Sequence, residues 1–234
     1  MGTHPTADTT YRLRQSAAAL FLAATSCAFA SAEGTDAAFE GQARAAYQQV
    51  LERLRAGQRL DDDYAAVARL RGIMRRLVPQ AALAYPATAH WTWEFHATSD
   101  PSVTAFCMAG GKLIVGSAYM ERLGLDDDEA AMLLAHEMAH ALAGHRRERP
   151  PPGGMEESVA WENQQAAIAL AQESEADRIG LGLAHDAGYR LAGLLGFFEK
   201  LASVETAGTF SSTHPPAARR AAQARAWAAE LGPK

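Results

Sequence analysis

The sequence predicts an α+β fold, mostly α, in which helices surround one small β-sheet. Three observations predict it. Apolar residues recur at helical spacing through most of the chain. Between residues 91 and 116 the pattern changes to short alternating and β-branched segments. Glycine and proline mark the boundaries between these textures. With 234 residues, 48% of them apolar and 21% charged, the chain has the composition of a globular protein and not of a disordered one. That length holds one ordinary domain or two small ones.

The first segment reads as an address. Residues 11–32 place Arg12 and Arg14 before an uncharged run from Ala17 to Ala32, with Leu20, Phe21 and Leu22 at its centre. Ala28-Phe29-Ala30 and Ala30-Ser31-Ala32 both fit a small-residue cleavage site, so residues 1–32 are expected to be a secretory signal peptide. A second reading stays open at Cys27. Ala24-Thr25-Ser26-Cys27 loosely resembles a bacterial lipobox, with Ala24 where Leu is usual, and in that reading Cys27 carries a lipid anchor. The expected location is the periplasm or the exterior, with membrane attachment only through that lipid. Residues 33–234 are then the folded domain.

Within it, Phe39, Ala45, Tyr47, Val50, Leu51 and Leu54 predict a helix over 36–57, and Tyr64, Val67, Leu70, Met74 and Leu77 predict another over 62–78. Gly57 and Pro79 are expected to end them. Arg69, Arg71, Arg75 and Arg76 read as a solvated face. Trp91 to His96 alternates aromatic with polar and reads as a strand. Ser102 to Phe106 and Lys112 to Gly116 read as two more, with Gly110-Gly111 as the turn between them. A short helix over 118–123 follows. Asp126, Asp127, Asp128 and Glu129 then open a helix to about His145, acidic at the positive end of its dipole. That helix is apolar nearly all round, which predicts burial. Residues 146–154 (RRERPPPGG) form the clearest loop. Helices are expected over 157–185 and 190–202, and a last Ala/Arg-rich helix closes the chain after Thr213-His214-Pro215-Pro216.

Charge and cysteine usage remove whole classes of function. Lys+Arg is 22 and Asp+Glu is 27, a formal net charge of -5, which lacks the basic footprint of a nucleic-acid binder. Cys27 and Cys107 are the only cysteines, too few for a thiolate zinc module. A metal site in this chain has to use histidine and carboxylate.

The buried helix carries such a set: His136-Glu137-Met138-Ala139-His140, an H-E-x-x-H pattern. Residues four apart lie about 40° apart around a helix, so both imidazoles face the same way and can share one zinc. Glu137 lies beside the first of them, placed to act as general base in metal-assisted peptide hydrolysis. Three ionisable side chains on a helix of Ala, Leu and Met are costly to bury without a partner.

A catalytic zinc takes a third protein ligand. His145, five after His140 and about 140° round the helix, is expected to face away. A metzincin spacing needs Gly at 143 and His at 146, where the chain has Ala143 and Arg146. Cys107 sits in Ala-Phe-Cys-Met, unlike the Cys ligand segment of deformylases. The better candidates are on the next long helix, in Glu173-Ser174-Glu175-Ala176-Asp177. Glu173 and Asp177 share a face, whereas Glu175 is about 200° from Glu173 and points elsewhere. Glu173 is assigned as the ligand. Asp177 is assigned to accept a hydrogen bond from the free N–H of a ligand imidazole.

Together, H-E-x-x-H and E-x-x-A-D resemble the gluzincin-type zinc endopeptidases that include the CAAX prenyl protease, the HtpX heat-shock protease and the periplasmic BepA-like proteases. Three more segments carry the resemblance. Thr104-Ala105-Phe106-Cys107-Met108-Ala109-Gly110-Gly111 is similar to that family's N-A-F-x-x-P-G-G strand and turn, with Thr104 and Ala109 as departures. His145 matches a further histidine after the motif. Thr213, His214, Pro215 and Arg220 match its T-H-P with a following arginine. The resemblance covers about residues 91–230 and implies a zincin-like metallopeptidase domain with two ligand-bearing helices. It implies one Zn2+ per chain held by His136, His140 and Glu173, with Glu137 activating water. It implies that Asp177 supports a ligand histidine. His214 would lie near the zinc, either plugging the site as a reversible fourth ligand or donating to the oxyanion. The expected function is an exported zinc metalloendopeptidase whose substrates are polypeptides, in particular misfolded envelope proteins, in protein quality control. The alternative is a chaperone-like or scaffold module whose zinc site is latent, shut by His214 and the 146–154 loop.

Overall fold

A computed structural model describes residues 22–145, 159–205 and 215–232. The chain divides into two units, Met1–Gln42 and Ala43–Lys234. In the first, the described residues form the start of helix α1 (Leu22–Ala56). Residues 1–21, which hold much of the expected signal segment, lie outside the described residues. So do the 146–154 loop and His214. Among the described residues no helix is long and apolar enough to cross a membrane.

In the second unit, α1 buries Tyr47, Leu51 and Leu54 against Val103 and Ile114. The spacing of four and then three puts these side chains on one helix face. Helix α2 (Tyr64–Ala84) starts at Asp63, whose carboxylate accepts from the N–H groups of Ala65 and Ala66. The expected stop at Pro79 is not where α2 ends; the helix runs through it to Ala84. The stripe of Leu70, Ile73, Met74 and Leu77 is buried before the proline, and Ala81 is buried beyond it. Pro79 itself is on the exposed side, where the freed carbonyl can turn to water. The arginine face is only partly solvated. Arg69 donates to Asp127 and to the Leu125 carbonyl, and Arg76 donates to the Ala187 carbonyl while stacking 3.6 Å over the Tyr189 ring. Arg71 and Arg75 remain exposed.

The sheet has the order β1-β3-β2, with β1 (Glu94–Thr98) parallel to β3 (Lys112–Gly116) and β2 (Ala105–Met108) antiparallel to it. All five residues of β3 are buried, as befits the central strand. The first two strands each lie about three residues later than their sequence patterns suggest. Trp91 and Trp93 pack against the core without joining the ladder, and aromatic alternation alone does not distinguish the two roles. Gly110 and Gly111 form the expected turn with φ of 79° and 73°. At Gly111 a β-carbon would also meet the Trp93 ring at 2.9 Å.

Helices α3 (Ser117–Arg122), α4 (Asp127–Leu142), α5 (Val159–Asp186), α6 (Leu191–Glu205) and α7 (Ala217–Leu231) complete the unit. This is the expected α+β, zincin-like arrangement. Helix α4 is its axis: α2, α5, α6 and β2 all pack on it. Its N-terminus is closed by a capping box in which Glu129 N–H donates to Asp126 and Asp126 N–H donates to Glu129. The acidic turn does more than match the dipole. Arg190 pairs with Asp128 and Lys200 with Glu129, both at 2.6 Å, which ties α4 to α6.

Where α5 crosses α4 the residue is Gly180. A β-carbon there would lie 2.8 Å from the backbone nitrogen of His136 and 3.0 Å from its α-carbon. Backbone cannot give way as a flexible side chain can. Gly180→Ala is therefore expected to push α5 off α4 at the His136 turn, costing about 1–3 kcal/mol as overpacking does. Thermal unfolding of the two proteins checks this.

Candidate metal centre

The H-E-x-x-H segment occupies the middle of α4, and every residue from Asp128 to Leu142 is buried except Glu137. The helix thus buries two histidines in the interior of the protein and leaves Glu137 half-buried. Across from it, α5 presents Glu173, Asp177 and Gly180. Their spacing of four and three puts them on one face. Ala176, also fully buried, lies beside them. Glycine lets that face come close enough for the carboxylate of Glu173 to reach both imidazoles.

The donors converge. Nε2 of His136 and Nε2 of His140 are 3.1 Å apart. Oxygens of Glu173 lie 3.4 Å from each of them. His136, His140 and Glu173 are at most 7% exposed. Ligands at about 2.0–2.1 Å from a tetrahedral ion are spaced about 3.3–3.4 Å from one another. The observed spacings are close to these, and the three residues could hold a metal.

Burial and neighbouring charge shift the protonation of these groups. Burial alone would lower the pKa of His136, but Asp177 and Glu173 beside it outweigh burial and carry it up to about 9. His140 is pushed below its ordinary value, first by burial and then by its histidine neighbours. For Asp177, burial favours the neutral acid, yet Arg220 and His136 hold its carboxyl below the usual range. Two buried carboxylates, Glu173 and Asp177, thus share the positive charge of Arg220 and a proton on His136, a place that a bound cation could take instead.

Asp177 lies beside His136. Its Oδ1 is 2.9 Å from Nδ1 of His136. Arg220 grips the same carboxylate with both arms of its guanidinium, Nε to Oδ2 at 2.8 Å and Nη2 to Oδ1 at 2.7 Å. The T-H-P motif contained this arginine, but its role becomes visible only when α7 is packed beside α5.

His145 is not where helical geometry would send it. The helix stops at Leu142, and Gly144 takes φ of 70°. His145 N–H then bonds back to the His140 carbonyl and Gly144 N–H to Ala141, a Schellman ending. This turn brings Nδ1 of His145 to 2.9 Å from Nδ1 of His140, on the side of that ring away from Glu173. Gly144 was the signal in the sequence for this change of direction. Glu175 points away from the metal cradle, as its angle on α5 predicts, and it lies 3.3 Å from Nε2 of His145. Cys107 is a half-buried free thiol on β2, and burial and nearby Glu137 raise its pKa.

Comparisons with known proteins agree with this geometry. The profile of peptidase family M48 matches residues 65–156 and 158–228. Mitochondrial metalloendopeptidase OMA1 of Arabidopsis thaliana is 30% identical over 158 residues, which cover 58% of this chain and 32% of that protein. Metalloprotease LoiP of Escherichia coli is 30% identical, with 53% of this chain and 58% of LoiP covered. Metalloprotease YcaL of the same organism is 29% identical, with 57% and 60% covered. The matches span only 32% to 47% of the length of the plant and fungal OMA1 proteins. They reach the family and do not single out the CAAX, HtpX or BepA-like branch. With the two-histidine, one-glutamate cradle and a profile match over most of its length, the chain belongs to peptidase family M48.

Proposed function

We propose that this chain is an exported zinc-dependent metalloendopeptidase that cleaves extended or misfolded envelope polypeptides in protein quality control. The observation that carries the reading is the convergence of His136, His140 and Glu173 at tetrahedral spacing, with Glu137 as the one solvent-reaching residue in the buried run of α4. Zinc is the ion of choice because two neutral imidazoles and a carboxylate form its usual catalytic donor set. When bound, it supplies Lewis acidity toward water and the scissile carbonyl. Glu137 takes the proton of the attacking water and returns a proton to the leaving amine. Asp177, held by Arg220, orients His136. His214, outside the described residues, is assigned as a donor to the oxyanion or as a reversible plug.

One further feature supports the substrate class. Strand β2 is the sheet's edge next to α4, with no strand beyond it among the described residues. An extended peptide can pair with such an edge through its backbone, which favours unfolded chains over any one side-chain sequence. Export rests on the signal pattern of residues 11–32, and a lipid on Cys27 would add membrane attachment.

The test is zinc content and casein cleavage of the purified protein. We expect about one zinc per chain. Cleavage should stop on chelation and return with zinc, and Glu173→Gln should bind no zinc. Cleavage that persists in fully zinc-depleted protein would sink the proposal, as would a stoichiometry far below one. Cell fractionation tests the location separately.

A further inference from the structure

We propose that His145 and Glu175 position the metal ligand His140 through a two-bond relay, resting on the reading that His140 binds the ion through Nε2. The tautomers follow in order. With Nε2 of His140 committed to the ion, a neutral His140 carries its proton on Nδ1. That Nδ1 faces Nδ1 of His145 at 2.9 Å, so His145 must accept there. A neutral His145 that accepts at Nδ1 carries its proton on Nε2. That nitrogen faces a carboxylate oxygen of Glu175 at 3.3 Å, the acceptor it needs. Every donor meets an acceptor in one arrangement only.

The relay has a structural cause. Gly144 turns the chain back at the end of α4, so His145 leans on the face of α4 that bears His140. The two rings stand edge to face with centroids 5.0 Å apart. The His145 side chain is 5% exposed and that of Glu175 is 60% exposed. His145 is therefore held by packing, while the carboxylate at the far end stays in water. The two ligand imidazoles are thus oriented by different means: His136 by a buried Asp177–Arg220 pair, and His140 by a histidine that leads to the surface.

The experiment compares the full chain with His145→Ala, His145→Asn and Glu175→Ala. Asparagine keeps an acceptor oxygen at the place of Nδ1. Zinc affinity is read by competition with a chelating dye, and cobalt substitution reports the ligand field by its visible spectrum. The fold is checked by circular dichroism of the metal-free proteins. We expect His145→Ala to weaken zinc about 10- to 100-fold and to change the cobalt spectrum. His145→Asn should retain most of the affinity and the spectrum, and Glu175→Ala should show a smaller loss than His145→Ala. Wild-type affinity in a folded His145→Ala protein would overturn the proposal. Equal losses in the Ala and Asn variants would overturn it too, because the hydrogen bond would not be the cause. If the unaltered chain takes up no zinc, the metal reading itself fails, a result distinct from either.

Discussion

Glu137→Gln is expected to lower the turnover of casein by about 10²–10⁴-fold while leaving zinc binding intact. In the proposed mechanism the two glutamates divide the work by position. Glu173 comes from α5 and its oxygens lie 3.4 Å from both imidazole nitrogens. Glu137 lies on α4 between the two histidines in sequence and reaches solvent, while its neighbours on the helix are buried. Glutamine has the shape of glutamate and keeps a carbonyl acceptor, but it cannot take a proton at neutral pH. The zinc-to-protein ratio, the melting temperature and KM should therefore stay close to those of the original chain while kcat falls. Unchanged turnover would mean that another group is the base. Loss of zinc along with activity would mean that Glu137 belongs to the ligand set, which the grouping of His136, His140 and Glu173 without it argues against.

Arg220→Leu should be the most damaging single change to stability, at about 3–5 kcal/mol. Arg220 is 6% exposed and Asp177 is 1% exposed, and their fork of two hydrogen bonds satisfies a carboxylate that has no access to water. Removing the guanidinium leaves that carboxylate buried with only His136 beside it. For a domain of this size about 2–4 °C of melting temperature accompanies each kcal/mol, so a drop of about 10 °C is expected. The same substitution loosens Asp177 and with it His136, so zinc affinity should fall about 10- to 100-fold. Adding Asp177→Asn should recover part of the lost stability, because it removes the unpaired buried charge, but should recover none of the affinity. Unfolding curves and zinc titrations of the single and double variants decide this. If Arg220→Leu melts like the original chain, the buried pair does not hold α7 to α5.

Much of the site was legible because it is local. His136, Glu137 and His140 depend only on helical spacing, and the apolar residues around them announce burial. Glu173 and Asp177 needed one more step, the choice of a shared helix face, and the 3.6-residue period made that choice against Glu175. The strands were harder to bound. A strand's limits depend on which residues find ladder partners, and Trp91 and Trp93 pack on the core instead. Pro79 misled for a similar reason. It lies on the exposed side of α2, where the freed carbonyl can turn to water, and the helix runs on to Ala84.

The sequence by itself determined the class of fold, the two metal-facing helix segments and the chemistry their donors can share. Each follows from the helical period, hydrophobic patterning and the donor properties of histidine and carboxylate. Tertiary structure decided which distant residues complete the site. Gly180 sets how closely α5 approaches α4, and no local pattern states which backbone it will meet. Arg220 acquires its role only when α7 lies beside α5 and a buried carboxylate needs a partner. His145 joins His140 because Gly144 ends the helix and reverses the direction in which the next side chain points. These contacts arise between elements, where packing distance and the satisfaction of buried charge are set by the assembled fold and not by the order of residues along one helix.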